Sequence, residues 1–400
     1  MDGSLSLAHH FSSIPDPRME RTRRHKLDEI LVIAICAMLC GAESFVEMEE
    51  FGHCKEEWLR QRLELPGGIP SHDTFNRVFG LLDPEEFGKC FMRWVEALQE
   101  YLKELRAEGE MADQFIALDG KTVRHSFDTA SGKAAIHMVS AWSAVNSLTL
   151  GQIKVNDKSN EITAIPALLQ LLDVAGAIVT IDAMGTQKEI ARQIVEQGGD
   201  YILPVKENHP TLHHNIEQFF AEEEQAKFKG QIHEVTQTSE KDHGRIEKRR
   251  AYLVPICTTV EAECPKQADA LMNWLDPKRE WSGLETIGMI IRQREVNGKI
   301  TTERQYYISS LSGGVERFSR AARGHWGIEN VVHWSLDVSF NEDLCRVRLG
   351  HAAENLATLR RIALNLIKQE TSRKVGVKVK RRKAGWDDRY LQMVLAGPPK

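Results

Sequence analysis

Short apolar segments alternate with helical segments between residues 115 and 205, and this alternation constrains the fold more than any other feature. Three segments have the pattern of strands: FIAL (115–118), IHMVSAWSAV (136–145) and LTLGQIKV (148–155). Four more follow as helix, strand, helix and strand, at 164–175, 177–181, 187–197 and 201–205. The order β, β, β, α, β, α, β predicts an α/β fold in which helices cover a mixed sheet and the crossovers are right-handed.

Two of the predicted strands lead directly into an aspartate. Asp119 follows the first strand, Asp182 follows the fourth, and a small residue comes after each. In this topology the two strands are parallel neighbours about 4.8 Å apart, so both carboxylates leave the sheet at the same edge. Carboxylates this close repel each other unless a cation lies between them, and Mg²⁺ prefers such hard oxygen ligands. A helix cap is the alternative role for each aspartate alone.

A third ligand is expected in the helical segment GHWGIENVVHWSLDVSF (324–340). At helical spacing His325, Glu329 and His333 share one face. Burying a glutamate charge among apolar and aromatic residues costs free energy unless a cation or hydrogen-bond donor compensates it, which favours Glu329 as the third carboxylate. Two alternatives remain open: Glu329 pairs with a basic neighbour such as Arg323, or the His-Glu-His face binds zinc, although its spacing differs from that of HExxH.

The tripeptide GKT at 120–122 resembles the end of a phosphate-binding loop. That loop requires a glycine five residues before its second glycine, and Phe115 occupies this position. The sequence therefore predicts no nucleotide cofactor.

The flanks carry most of the clustered positive charge, although the net charge of the chain is −5. Basic residues concentrate at 18–26 and 373–383, and IPSHDTFNRVF (69–79) has the pattern of a helix-turn-helix capped by Ser71. Two basic runs around an acidic centre favour contact with DNA phosphates. Solvated segments and an ordinary helical hairpin are the alternatives. The candidate DNA contacts in these flanks are Arg23, Arg24, Lys26, Asn76, Arg77, Lys380, Arg381 and Arg382.

Strand patterns near 231–237, 248–254, 286–295 and 300–309 predict a β-rich insertion before the last helices. Five regions are therefore expected: a helical N-terminal domain (1–105), the first part of a catalytic core (106–210), the insertion (211–312), C-terminal core helices (313–370) and a basic tail (371–400).

Composition excludes several protein classes. The longest apolar run, Ile30–Cys40, has eleven residues, whereas about 20 are needed to cross a bilayer, so we expect a cytoplasmic protein without a membrane partner. Seven cysteines without paired CxxC spacing indicate neither a disulfide framework nor a zinc ribbon. A metal site at Cys36, Cys40, His53 and Cys54 is disfavoured because the first two lie in an apolar helix.

Six ordered motifs are similar to stretches of the DDE transposases of bacterial insertion sequences, in the branch of the H-repeat-associated proteins of Rhs elements. They are IPDPR (14–18), IPSHDTFNRVF (69–79), IALDGKTVRHS (116–126), TIDAMGTQKEIA (180–191), DYILPVKENHPTL (200–212) and HWGIENVVHWSLDVSFNED (325–343). The resemblance covers roughly residues 10–370. It implies an RNase H-like catalytic domain, with Asp119, Asp182 and Glu329 at the positions of the family's two aspartates and its glutamate.

The resemblance also implies a reaction: cutting and joining of double-stranded DNA at the element ends, with two Mg²⁺ ions per site and Mn²⁺ as a substitute. Pairing of two ends implies a homodimer in the synaptic complex. Related enzymes place Tyr, Arg and Lys around the glutamate, where this chain has Ala322, His325 and Leu336. His325, Arg323 and Lys206 are candidates for their phosphate contacts. An RNase H-like nuclease without strand transfer and an inactive DNA-binding relic are the alternatives.

Overall fold

A computed structural model describes residues 7–105, 113–127, 132, 134–156, 159–242, 245–256 and 265–398. The chain divides into two compact units and passes between them several times. The first unit contains the described parts of 1–112, 120–160 and 328–400, and the second contains the described parts of 113–119 and 161–327.

The described residues form fifteen α-helices and nine strands. The helices are α1 (Leu7–Phe11), α2 (Leu27–Leu39), α3 (Phe45–Cys54), α4 (Glu56–Arg60), α5 (His72–Leu81), α6 (Pro84–Glu104), α7 (Glu161–Leu169), α8 (Lys188–Glu196), α9 (Pro210–Ala226), α10 (Pro265–Leu275), α11 (Val315–Gly327), α12 (Trp334–Ser339), α13 (Ala352–Gln369), α14 (Val377–Trp386) and α15 (Asp388–Ala396). The strands are β1 (Phe115–Thr122), β2 (His137–Ser143), β3 (Leu148–Lys154), β4 (Ile178–Ile181), β5 (Asp200–Val205), β6 (Glu234–Asp242), β7 (Arg245–Pro255), β8 (Thr286–Val296) and β9 (Lys299–Ser309).

The first unit is built around the apolar helix α2. Its residues from Ile30 to Leu39 are buried apart from the half-buried Val32, and α2 packs against α3, α13 and α14. A helix that is apolar on all sides is stable only when other elements enclose it, which explains this central position. The hairpin β2–β3 belongs to the same unit and turns at Asn146-Ser147, where Ser147 has a φ of 52°.

The second unit contains a mixed sheet in the order β1-β4-β5-β9-β8-β7-β6. The pairs β1–β4 and β4–β5 are parallel, and every later pair is antiparallel. Helix α11 covers this sheet with Phe318, which is fully buried against Tyr307. The mixed α/β fold predicted from the sequence is therefore confirmed.

Several predicted element boundaries are wrong. Strand β1 continues to Thr122, so Asp119 lies within the strand and does not end it. The start of the predicted β-rich insertion is helix α9. The predicted basic tail contains helices α14 and α15. Within the described ranges, none of the helices combines the length and apolar content that crossing a membrane requires.

Candidate active site

Asp119 and Asp182 follow paired residues of two parallel strands. In the β1–β4 pair Leu118 lies opposite Ile181, so each aspartate is the next residue beyond the last pair in register. Both aspartates are half-buried, while Leu118 and Ile181 are fully buried. The strand arrangement therefore brings these two acids to the same edge of the sheet, as the topology predicts.

A tight turn, Asp182-Ala183-Met184-Gly185, fixes the Asp182 carboxylate. The Gly185 amide donates to Asp182 Oδ1 at 2.9 Å. A Cβ at Gly185 would lie 2.2 Å from Ile181 Cγ2, so only glycine fits here. Helix α8 begins later, at Lys188, and its N-cap residue Gln187 forms no side-chain cap. Asp182 therefore stabilises the turn, and the alternative that it caps the following helix is wrong.

The electrostatic environment of Asp182 disfavours a lone negative charge. Burial is the main cause that raises its pKa, and the nearby carboxylate of Glu161 acts in the same direction. Amides of the turn and the ammonium of Lys206 oppose this shift only in part. A carboxylate in such surroundings gains from an additional cation.

The loop after β5 packs against this turn. Asn208 Nδ2 donates to Ala183 O at 2.5 Å, and Thr186 Oγ1 donates to Pro204 O at 2.8 Å. These bonds hold the exposed Lys206 beside Asp182. A cleft of about 500 Å³ opens here, with Met184, Lys206 and Arg304 among its lining residues.

His325, at the end of α11, lies on the same side of the second unit. Its Nδ1 is 3.2 Å from Thr180 Oγ1 on β4. Burial lowers the pKa of His325 to about 4, and the charge of Lys206 adds to that effect. His325 is therefore a neutral imidazole at pH 7, able to hydrogen-bond a ligand without adding positive charge.

Arg323, on the same helix, is engaged elsewhere. It forms a bidentate ion pair with Glu240 of β6, and the Nη2–Oε2 distance is 2.5 Å. The alternative in which Arg323 neutralises Glu329 is therefore not supported.

Trp326, on the same helix, is 39% exposed, and the guanidinium of Arg292 lies over its ring, 5.6 Å from the ring centroid.

Glu329 lies in the first unit, in a π-helical segment, Ile328–His333, between α11 and α12. The spacing argument that placed His325, Glu329 and His333 on one face assumed α-helical turns, and it does not hold across π-helical residues. Glu329 is exposed, as is Trp334. The prediction that Glu329 lies in apolar surroundings is therefore wrong. A π-bulge inside a helix is nevertheless a frequent mark of a functional site.

The N-terminal candidates for DNA contact differ in their accessibility. Arg24 and Arg77 are exposed, and Asn76 is half-buried on α5. Lys26 is exposed and pairs with Glu64 at 2.6 Å. Arg23 is also exposed, and it donates to the carbonyls of Arg18 and Asp16.

Two of the C-terminal candidates are buried, which corrects their assignment as exposed contacts. Arg381 is 3% exposed and donates to the carbonyl of Met38, in the last turn of α2, and to that of Ala42, just beyond its end. Lys380 is 8% exposed and donates to the carbonyl of Glu370, at the end of α13. Both cations satisfy helix-terminal carbonyls of the first unit. Arg382 alone of this trio is exposed.

The structure also describes possible metal-binding clusters and the cysteines of the disfavoured metal site. Among the residues that the structure describes, no three or more His, Cys, Asp or Glu side chains are grouped closely enough to hold a metal ion. Cys36, Cys40 and Cys54 are free, and burial raises the pKa of the Cys40 thiol to about 12. Cys257 and Cys264 lie outside the described residues.

Sequence reasoning missed two charged residues near the acids. Glu161 influences Asp182 from the start of α7, and no local pattern marks it. Lys121 is buried among three carboxylates, although GKT suggested only a nucleotide loop. No local pattern marks the burial of Lys121 either, because its three acidic partners are distant in the chain.

Comparisons with known proteins agree with the sequence motifs. Residues 110–366 match the family described as Transposase DDE domain, and residues 8–95 match its associated family, DDE_Tnp_1-associated. The chain is 40% identical to the H repeat-associated putative transposase YhhI of Escherichia coli (strain K12), over 98% of both chains. It is also 40% identical to the putative transposase YncI of Escherichia coli O157:H7, over 98% of this chain and 94% of that one.

A shorter relative, the inactive transposase YbfQ of Escherichia coli (strain K12), is 42% identical over 18% of this chain and 86% of its own length. The family match covers more than half of the chain, and the two longer relatives match it from end to end. This chain therefore belongs to the DDE transposase family.

Proposed function

We propose that this chain cuts DNA at the ends of an insertion-sequence element and joins those ends to target DNA. Asp119, Asp182 and Glu329 are the carboxylates that we assign to the metal site. The observation that carries the proposal is the register of β1 and β4, which brings Asp119 and Asp182 to one sheet edge in a chain of the DDE transposase family.

The donor set fits a divalent cation. Asp119, Asp182 and Glu329 offer hard oxygen ligands, the kind that Mg²⁺ and Mn²⁺ bind. Burial and Glu161 raise the pKa of Asp182, so a cation that compensates its charge is favourable. When bound, the metal supplies Lewis acidity and lowers the pKa of the attacking water or 3′-hydroxyl.

The other side chains serve to bind and orient the DNA. Lys206 and Arg304 line the cleft beside Asp182 and suit backbone phosphates. His325 is a neutral group that contacts Thr180, two residues before the same aspartate in the chain. The exposed Arg24, Arg77 and the other accessible flank residues add sequence-independent affinity. We further propose that two copies assemble on paired element ends.

The direct experiment uses duplexes that carry the inverted repeats bordering the coding region. Asp119→Asn, Asp182→Asn and Glu329→Gln are each expected to abolish cleavage with Mg²⁺ while DNA binding stays measurable. Asp113→Asn is the matched control, because Asp113 precedes β1 but pairs with Arg317 at 2.8 Å. Wild-type cleavage by any of the three carboxylate variants would contradict the assignment of that residue.

A target plasmid in the same reaction separates cutting from joining. The proposal expects joined products between the cut ends and the plasmid. Cleavage without joined products would instead establish an RNase H-like nuclease, and the absence of both with intact DNA binding would establish an inactive relic. Light scattering of the DNA complex tests for the dimer.

A further inference from the structure

Lys121 is buried beneath three carboxylates of the first unit. Its side chain is 7% exposed, and its Nζ lies 2.7 Å from Asp337 Oδ1, 2.9 Å from Asp343 Oδ1 and 3.7 Å from Glu342 Oε2. A lysine is almost never buried unless it is paired, so this position depends on those acids. Lys121 is therefore a fixed internal cation and not a free surface charge.

Two arginines of α13 complete the charge balance behind these acids. Arg361 Nη1 lies 2.8 Å from Glu342 Oε1, Arg360 Nη1 lies 4.0 Å from the same atom, and all three side chains are at most 1% exposed. Burial raises the pKa of Glu342, but Arg361, Arg360 and Lys121 together hold it below its usual value. Glu342 therefore remains charged and anchors Lys121 from inside the unit.

The network joins two chain segments that the transposase motifs contain. Lys121 is two residues after Asp119 in β1, so the two side chains leave the same face of that strand. Its acidic partners follow Glu329 in the chain by 8 to 14 residues. Arg124 Nε adds a contact to Asp343 Oδ2 at 3.3 Å, and His125 Nδ1 hydrogen-bonds to Asp343 O.

We propose that Lys121 is a positioning residue of the transposase: it anchors the end of β1 to the segment Asp337–Asp343 and so fixes the direction in which β1 presents Asp119. The inference rests on the proposed role of Asp119 as a metal ligand. Outer residues that orient metal ligands affect metal affinity without touching the metal. A contact between Lys121 and DNA phosphate is disfavoured because three carboxylates already surround its ammonium group.

The test compares the full-length variants Lys121→Met and Lys121→Arg with wild type. Mn²⁺ affinity of the DNA-bound protein is measured by calorimetry and by the rise in Tm that Mn²⁺ produces, alongside cleavage. We expect Lys121→Met to weaken Mn²⁺ binding by about 10- to 100-fold, as loss of an outer orienting group typically does. Lys121→Arg retains the charge and is expected to recover most of the affinity. Lys188→Met, which removes a surface ion pair to Glu280, is the matched control.

The double variant Lys121→Met/Asp343→Asn guards against simple misfolding. It removes one carboxylate together with the lysine, so it is expected to fold better than Lys121→Met but still to bind Mn²⁺ weakly. Recovery of Mn²⁺ affinity in this variant would show that only charge balance matters and would overturn the inference.

Two further results would also overturn it. One is wild-type Mn²⁺ affinity in folded Lys121→Met, and the other is a loss of DNA affinity with an unchanged Mn²⁺ response, which would indicate a phosphate contact. Asp119→Asn is measured in parallel. If that variant cuts DNA normally, the proposed role of Asp119 as a metal ligand fails; if it is inactive while Lys121→Met behaves as wild type, only the positioning role of Lys121 fails.

Discussion

The buried ion pair between Arg361 and Glu342 provides a stringent test of how the first unit is stabilised. The two groups are 2.8 Å apart, and neither side chain is exposed. Replacing Arg361 by methionine keeps a similar apolar stem but leaves the Glu342 carboxylate without its nearest cation. Removing one partner of a buried pair typically costs about 3–5 kcal/mol, because the other charge remains desolvated.

Neighbouring cations place the expected cost at the lower end of this range. Lys121 and Arg360 remain at 3.7 Å and 4.0 Å from Glu342 and compensate part of its charge. We therefore expect Arg361→Met to lower the free energy of unfolding by about 3 kcal/mol at pH 7.5. Arg60→Met is the matched control, since the exposed Arg60–Glu56 pair of α4 should contribute only about 0.3–0.5 kcal/mol.

The effect of pH on this cost follows from Glu342. In the wild-type protein its pKa is lowered, so its stabilising contribution is complete above the unfolded value near 4.5 and is lost only at lower pH. Without Arg361 the desolvation of Glu342 dominates and raises its pKa, so the variant takes up a proton as the pH falls. The difference in unfolding free energy between variant and wild type should therefore shrink from pH 7.5 to pH 5.5.

Urea unfolding at both pH values, followed by circular dichroism, measures these quantities. The additional change Glu342→Gln in the Arg361→Met background should recover part of the lost stability, because no unpaired charge then remains buried. A cost for Arg361→Met as small as that of Arg60→Met, or a cost that is the same at both pH values, would refute the reasoning.

Three further predictions concern other elements. Burial, with smaller contributions from nearby cations, lowers the pKa of His333 to about 3. Below about pH 6.5 the unfolded chain therefore binds a proton that the folded chain does not, so the free energy of unfolding should decrease as the pH falls, by up to about 1.4 kcal/mol per pH unit. His333→Gln should flatten this pH dependence in urea titrations. Gly288→Ala would place a Cβ 2.3 Å from Phe318 and should lower the free energy of unfolding, measured by calorimetry, by about 1–3 kcal/mol. Gly88→Ala, in open space on helix α6, should raise it by about 0.5–1 kcal/mol. Asp83→Ala removes the side chain that accepts from two amides of α6 and should lower stability by about 1 kcal/mol; an unchanged Tm would contradict this capping role.

The positions of Asp119 and Asp182 were predictable because short apolar runs and their order determine strand pairing. Helix α2 was predictable for a similar reason, since eleven consecutive apolar residues can only be buried. The predicted helix cap at Ser71 is confirmed, and it is a local signal. All of these features depend on residues that are neighbours in the sequence or on general rules of topology.

Features that depend on distant residues were not predictable. The basic run 373–383 has the composition of a solvated segment, but Lys380 and Arg381 bind carbonyl groups near the ends of α13 and α2. Glu329 has aromatic neighbours along the chain, and Trp326 and Trp334 are themselves exposed, so sequence proximity did not indicate burial. The π-helical turn at Glu329 likewise has no signature in residue spacing.

The bond from Arg381 Nε to Met38 O spans 343 residues. At a synthesis rate of about 5–20 residues per second, roughly 17–70 s therefore pass between the synthesis of α2 and that of α14, the last helix that packs on it. Throughout that interval the face of α2 that α13 and α14 cover is available to chaperones or to other nascent chains. A product that ends before α13 keeps α1 and α3 but leaves the remaining apolar face of α2 uncovered, so we expect such truncated chains to aggregate and to be degraded.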